Sequence, residues 1–124
     1  MTTLNETLHA GGFMLSGNFD GSQISCDKIT VASGQGPINA GTILGKITAS
    51  GKYVQLTEGA SDGSQVAGGI LWDYVDATSA DTLAAAITRY AEVTGGELTY
   101  PAGASGAQKL TANSDLLALG VLVR

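Results

Sequence analysis

The sequence has few of the residues on which enzyme sites and nucleic-acid interfaces usually depend. It contains one cysteine (Cys26), one histidine (His9) and six basic residues among 124. A single cysteine allows no internal disulfide, and two Cys or His side chains cannot complete the usual zinc site. The bases are spread along the chain, whereas nucleic-acid binding needs clustered positive charge. We therefore expect no nucleic-acid partner, no metal and no cofactor.

Long apolar runs are also missing. The longest fall far below the roughly 18 residues of a membrane-spanning helix. The first residues, MTTLNETLHAGGFMLSG, lack the basic start and the unbroken apolar run of a signal peptide. The net charge of −5 and the scattered bases argue against binding to an anionic membrane surface. We expect no membrane partner.

Aromatic and charged residues are scarce, at 6% and 14% of the chain, while hydrophobic residues make up 44%. The core must therefore consist mainly of Ile, Leu, Val and Ala. A soluble helical bundle would need more Glu and Lys on its exposed faces, and the 18 glycines favour many turns. This composition predicts a mainly β protein.

The pattern of β-branched and apolar residues places most of the strands. We predict strands in the following segments: KITVA (28–32), TILGKIT (42–48), KYVQLT (52–57), VAGGILWDYV (66–75), ELTY (97–100) and VLVR (121–124). Residues 82–93, TLAAAITRYAEV, fit either helix or strand, and propensity favours helix. Ser105 can cap a short C-terminal helix that ends at Gly120.

The tetrapeptide DGSQ occurs twice, at Asp20–Gln23 and Asp62–Gln65. Neither copy has the alternating acids of a calcium loop. Asp-Gly is a favoured turn, because Asp caps the local backbone and Gly accepts a positive φ. We interpret both copies as turns. Asp73, Asp76 and Asp81 could converge as catalytic carboxylates, but acids beside turns are usually solvated.

The first 25 residues are polar and glycine-rich, apart from an apolar island at Phe13, Met14 and Leu15. Too little apolar surface is present to offset the entropy of ordering this segment alone. We predict a flexible arm over residues 1–25 and a folded domain over residues 26–124. The arm is either a frayed terminus or a segment that becomes ordered on a partner through its apolar island.

Several segments, in order, are similar to a known family. They are GQGPINAGTILGKITASGKYVQL (34–56), SDGSQVAGGIL (61–71), VDAT (75–78), ITRYAEV (87–93) and LLALGVLVR (116–124). Together they resemble the head decoration protein D family of tailed bacteriophages, over roughly residues 16–124.

The resemblance implies a small β-barrel-like fold called a β-tulip, related to β-clip and SAF-type domains, in which residues 82–93 form a strand. It implies a structural protein, not an enzyme, made in the host cytoplasm and located on the outer surface of the virion capsid. It also implies a homotrimer at three-fold and quasi-three-fold positions of the expanded head, which stabilises the shell against the pressure of packaged DNA. The partner is the major capsid protein, whose sheet the N-terminal arm extends.

Two sets of contact residues follow as hypotheses. Phe13, Met14 and Leu15 are the candidates for capsid contact by strand addition. Trp72 and Tyr74, which alternate along the predicted strand, are candidates for trimer contact, and core packing is an equal alternative for Trp72. Other functions remain open: a carbohydrate-binding β module, a carboxylate-based hydrolase, or another virion protein such as a tail subunit.

Overall fold

Short strands dominate the computed structural model, which describes residues 6–17 and 24–124. The strands are β1 (Met14–Gly17), β2 (Cys26–Val31), β3 (Gly36–Ile38), β4 (Ile43–Lys46), β5 (Tyr53–Gln55), β6 (Ala67–Leu71), β7 (Val75–Ala77), β8 (Thr82–Ile87), β9 (Ala91–Val93) and β10 (Val121–Val123). A 3-10 turn covers Gly95–Glu97, and one α-helix, α1, covers Gly106–Ala118. The predicted mainly β class with a short C-terminal helix is confirmed.

Five strands close into a barrel in the order β2-β5-β4-β6-β8. The pairs are antiparallel except for β2 with β5, which is parallel. The predicted hairpin between β4 and β5 is present, and Gly51 supplies its positive φ of 74°. Strands β3 and β7 form a separate antiparallel pair.

Consecutive residues of the barrel strands enter two different cores, because neighbouring strand residues point to opposite faces. Leu44, Leu71 and Ala86 belong to the core inside the barrel. Their neighbours Ile43, Ile70 and Ile87 point outwards into a second core. The unbroken apolar pairs of the sequence thus mark strands that are buried on both faces.

The second core lies between the outside of the barrel and a layer made of α1 and the sheet β1-β9-β10. The layer contributes Phe13, Val93, Leu116 and Val121, which are all fully buried. The predicted helix cap is confirmed. The Ser105 hydroxyl accepts a hydrogen bond from the backbone N–H of Gln108, and the side-chain oxygen of Gln108 accepts one from the backbone N–H of Ser105.

The described part of the N-terminal segment is attached to the rest of the fold. Met14–Gly17 pairs with β9, with a register shift between Met14 and Ser16, and Phe13 is fully buried in the second core. The segment is ordered because it contacts residues that are distant in the sequence. The barrel exposes an apolar outer face, and burying Phe13 against it offsets the entropy of ordering the segment.

Residues 82–93 form the two strands β8 and β9, as the resemblance implied and against their helix propensity.

Two other strand predictions were wrong in the residues that they included. Strand β6 ends at Leu71, so Trp72 and Tyr74 do not alternate along a strand. In the segment 97–100 only Thr99 pairs, with Thr42, and Pro101 has no N–H with which to continue a ladder.

The second DGSQ copy forms the predicted turn. The Asp62 carboxylate accepts hydrogen bonds from the backbone N–H of Ser64 at 3.0 Å and from its hydroxyl at 2.5 Å. The turn is pressed onto the barrel, because a methyl group at Gly45 would lie 2.3 Å from the Ser64 carbonyl oxygen. The first copy, Asp20–Gln23, lies outside the described residues.

Replacing Phe13 with Ala should lower the free energy of unfolding by about 3–5 kcal/mol, because a cavity opens in the second core. Leu15→Ala is the matched control, since Leu15 is 53% exposed, and should change it by less than about 0.5 kcal/mol. Urea denaturation measures both. Equally small effects would mean that Phe13 contributes nothing to the core.

Candidate interaction surfaces

The ionisable residues of the described chain are mostly dispersed. No group of three or more His, Cys, Asp or Glu residues that could hold a metal occurs within residues 6–17 and 24–124. His9 lies 2.9 Å from the carboxylate of Glu6 on an exposed part of the segment. Burial, and then the charge of Asp27, raises the pKa of the Cys26 thiol, so this thiol is held in its protonated, poorly nucleophilic form.

In the parts of the chain that the structure describes, no helix combines the length and the apolar character needed to cross a membrane.

The three predicted capsid-contact residues do not share one surface. Phe13 is fully buried, Met14 packs partly against the second core, and Leu15 is exposed. Strand β1 is an outer strand of its sheet and has β9 as its partner among the described residues. Within this set, therefore, the side chain of Leu15 and the outer edge of β1 are what a partner can reach.

The two predicted trimer-contact residues are also separated. Trp72 lies under the N-terminal segment: Gly11 donates its N–H to the Trp72 carbonyl at 2.9 Å, and a methyl group at Gly11 would lie 2.5 Å from the indole. The ring of Phe13 meets the indole edge to face, with 6.3 Å between the ring centroids. Trp72 thus packs within its own chain, whereas Tyr74 is 55% exposed.

Tyr74 and Leu83 are both exposed, on two segments of the chain that lie side by side, and the pair is here called the flank. Two hydrogen bonds place the segment after β6 beside the start of β8: Trp72 N–H to the Ala85 carbonyl at 2.9 Å, and the Thr82 hydroxyl to the Asp76 carbonyl at 3.2 Å. Leu83 is 65% exposed at this end of β8. Sequence reasoning did not single out Leu83, because it appeared as a regular member of either a helix or a strand.

Helix α1 carries a second exposed apolar surface, here called the helix face. Leu110 and Leu117 are both more than half exposed and stand seven residues apart, on one side of the helix. They line a shallow groove of about 240 Å³ together with Asn113, Ser114 and the end of β10. The opposite side packs into the second core through Ala112 and Leu116. The helical spacing of these three leucines and one alanine is the sequence signal that separates the two sides.

A third surface, here called the corner, joins the residues before β2 to those after β8. Arg89 pairs with the carboxylate of Asp27, which also accepts a hydrogen bond from the Thr88 hydroxyl at 2.8 Å. The guanidinium also donates to the Ile24 carbonyl at 2.8 Å. Ile24, whose carbonyl belongs to this network, and Tyr90, which follows Arg89 in the sequence, are both exposed. Sequence reasoning missed the corner, because Asp27 and Arg89 are 62 residues apart.

The network holds Asp27 in its charged form. Partial burial raises the pKa of this carboxyl, but hydrogen bonds from Thr88 and Arg89 and the charges of Arg89 and Lys46 outweigh it, so the pKa is lowered. A carboxylate with a lowered pKa stabilises the fold above its unfolded pKa of about 3.9, and that contribution is lost as the pH falls through the folded value.

Replacing Asp27 with Asn should lower the Tm at pH 7, since Arg89 loses its charged partner. On acidification the Tm of the original protein should fall more steeply than that of Asp27→Asn. The difference should begin to shrink near the unfolded pKa of about 3.9 and should close once the pH is below the lowered, folded-state pKa. Thermal unfolding followed by circular dichroism from pH 7 to pH 2 measures this. A Tm difference that does not change with pH would contradict the assignment.

The described residues thus form three exposed surfaces, which are the flank, the helix face and the corner. A search of the curated proteins found no match. The family model for bacteriophage lambda head decoration protein D matches residues 3–121 of the 124. That family consists of structural virion proteins associated with the phage capsid. The chain therefore belongs to the bacteriophage lambda head decoration protein D family.

Proposed function

We propose that the protein binds as a homotrimer to the outside of the expanded phage head, at three-fold and quasi-three-fold positions, and stabilises the shell against the pressure of packaged DNA. The observation that carries this proposal is the family match, which extends over nearly the whole chain. The three separate exposed surfaces support it, because a protein that bridges several neighbours needs several contact faces. A monomer with one ligand would need a single cleft.

The proposed mechanism is mechanical. Internal pressure tends to open the shell where subunits meet, and a trimer that spans these edges adds interface area that must be broken before they separate. Three chains that bind together also raise the effective concentration of each contact, so individually weak contacts give a long-lived complex. A binding site that exists only in the expanded shell would restrict binding to that state.

For the shell contact we propose the N-terminal segment, as the sequence analysis did. The structure, however, gives Phe13, Met14 and Leu15 different roles in that contact. The outer edge of β1 offers backbone groups for strand addition to the major capsid protein, and Leu15 offers an exposed side chain beside them. Phe13 and Met14 act from within, by fixing β1 to the second core.

For the trimer contact we propose the flank. Tyr74 and Leu83 together expose an aromatic and an aliphatic side chain, a combination typical of interface centres. Trp72 supports this surface from behind, since its N–H bond to Ala85 holds the chain beside β8. Its role is therefore to position Tyr74 within each copy.

Co-sedimentation with heads that lack the protein tests the function directly. Purified protein should sediment with expanded heads, at a ratio near one chain per major capsid subunit, and should remain in the supernatant with unexpanded heads. Binding to both kinds of head would remove the dependence on expansion. Failure to bind either would contradict the proposed function.

Two single substitutions should separate the two contacts. Leu15→Asp should weaken binding to expanded heads by about tenfold or more, because a charge would be buried at the shell contact.

Tyr74→Asp should reduce the yield of cross-linked trimers on the heads, because it would place like charges together at the three-fold axis. Co-sedimentation measures the binding of Leu15→Asp to heads, and gel analysis of cross-linked, decorated heads measures the trimer yield of Tyr74→Asp. Trimers that form equally well with Tyr74→Asp would show that the flank is not the trimer contact.

A further inference from the structure

Tyr90 has a backbone conformation that tyrosine rarely adopts. Its φ is +50°, and it is the one residue other than glycine with a positive φ in residues 6–17 and 24–124. For a bulky side chain this left-handed conformation is unfavourable, and glycine or asparagine adopts it more readily. The residue stands between Ile87, where β8 ends, and Ala91, where β9 begins.

The surrounding chain fixes this conformation from two sides. The Ser25 hydroxyl donates a hydrogen bond of 2.7 Å to the Tyr90 carbonyl. The ring lies against Gly120, where an added methyl group would come within 2.8 Å of Cδ1 of the ring. The next residue, Ala91, donates its N–H to the Gly120 carbonyl at 3.2 Å. The backbone of Tyr90 is therefore held by its neighbours, and one side of the ring rests on Gly120.

The chain itself gains little from a tyrosine here. The side chain is 61% exposed, and its hydroxyl has no hydrogen-bond partner among the described residues. Tyr100 shows the contrast, since its hydroxyl bonds to Asn113 at 2.5 Å and its side chain is partly buried. The strain at Tyr90 is thus not offset by burial or by hydrogen bonding of the ring, and unrelieved strain at an exposed residue points to a role in binding.

We propose that Tyr90 is a pre-oriented aromatic anchor for the major capsid protein, inserted into an apolar pocket of the shell that has a polar group to meet the phenol. This inference rests on the proposed function and adds a contact residue to it. Tyrosine and arginine are enriched among residues that dominate binding energy. Because the charge of Arg89 is already paired with Asp27, the surface around the ring favours an uncharged partner.

The position of the corner favours the shell over a second copy of the chain. Gly17, the last residue of β1, is the register partner of Ala91, so the corner continues directly from the strand that we assign to the shell contact. The flank lies at the other end of β8, and the six residues of that strand span roughly 17–20 Å. The corner and the flank can therefore engage different partners at the same time.

Three variants test the proposal. Tyr90→Gly removes the ring and relieves the strain, so its Tm should lie within about 3 °C of the original value or above it. Its binding to expanded heads should be about tenfold weaker or more. Tyr90→Asn suits the same backbone and should behave alike, while Tyr90→Phe keeps the ring and should retain most of the binding. Calorimetry and titrated co-sedimentation measure the two quantities.

Other outcomes would overturn the proposal. Unchanged head binding by Tyr90→Gly and Tyr90→Asn would show that the ring is not a shell contact, and a Tm lowered by more than about 5 °C in both variants would assign the ring to folding. Loss of cross-linked trimers with unchanged binding of single chains would place the ring between copies. If the unsubstituted protein fails to bind expanded heads, the proposed function itself fails. That result differs from one in which only the Tyr90 variants behave unexpectedly.

Discussion

The burial of Phe13 between the barrel and the outer layer is the interaction on which the rest of the arrangement depends. Its ring enters the second core beside Ile70, Ile87 and Leu116, and it meets Trp72 edge to face. Strand β1 follows directly, pairs with β9, and β9 in turn holds β10 and the end of the helix. The second core therefore determines where Leu15, Tyr90 and the helix face stand relative to the barrel.

Local sequence signals identified the parts of the fold that depend on neighbouring residues. The β4–β5 hairpin, the capped helix and the second DGSQ turn follow from turn and capping chemistry that is readable within a few residues. For residues 82–93 propensity favoured the wrong structure, because the strand is stabilised by its partners β2 and β6. The resemblance to a family supplied that information where propensity could not.

Contacts between distant residues were not predictable from one sequence. Phe13 and Trp72 lie 59 positions apart, so nothing local indicated that an apolar island in a polar terminus would be buried, or that the indole would turn inwards. The positive φ of Tyr90 depends on Ser25 and Gly120, which are also distant from it in the sequence. The flank, the helix face and the corner became recognisable only when the exposed side chains could be placed on the fold.

Under the proposed function the protein would stabilise a shell by geometry, without a chemical step. Its cores hold the flank, the helix face and the corner in fixed relation, and we propose that neighbouring copies and shell subunits contact these surfaces together. The most direct test is the release of DNA from filled heads during heating, followed with a dye that fluoresces on released DNA. Heads saturated with the protein should release DNA at a higher temperature than undecorated heads. Release at the same temperature, with saturation verified by sedimentation, would contradict the account.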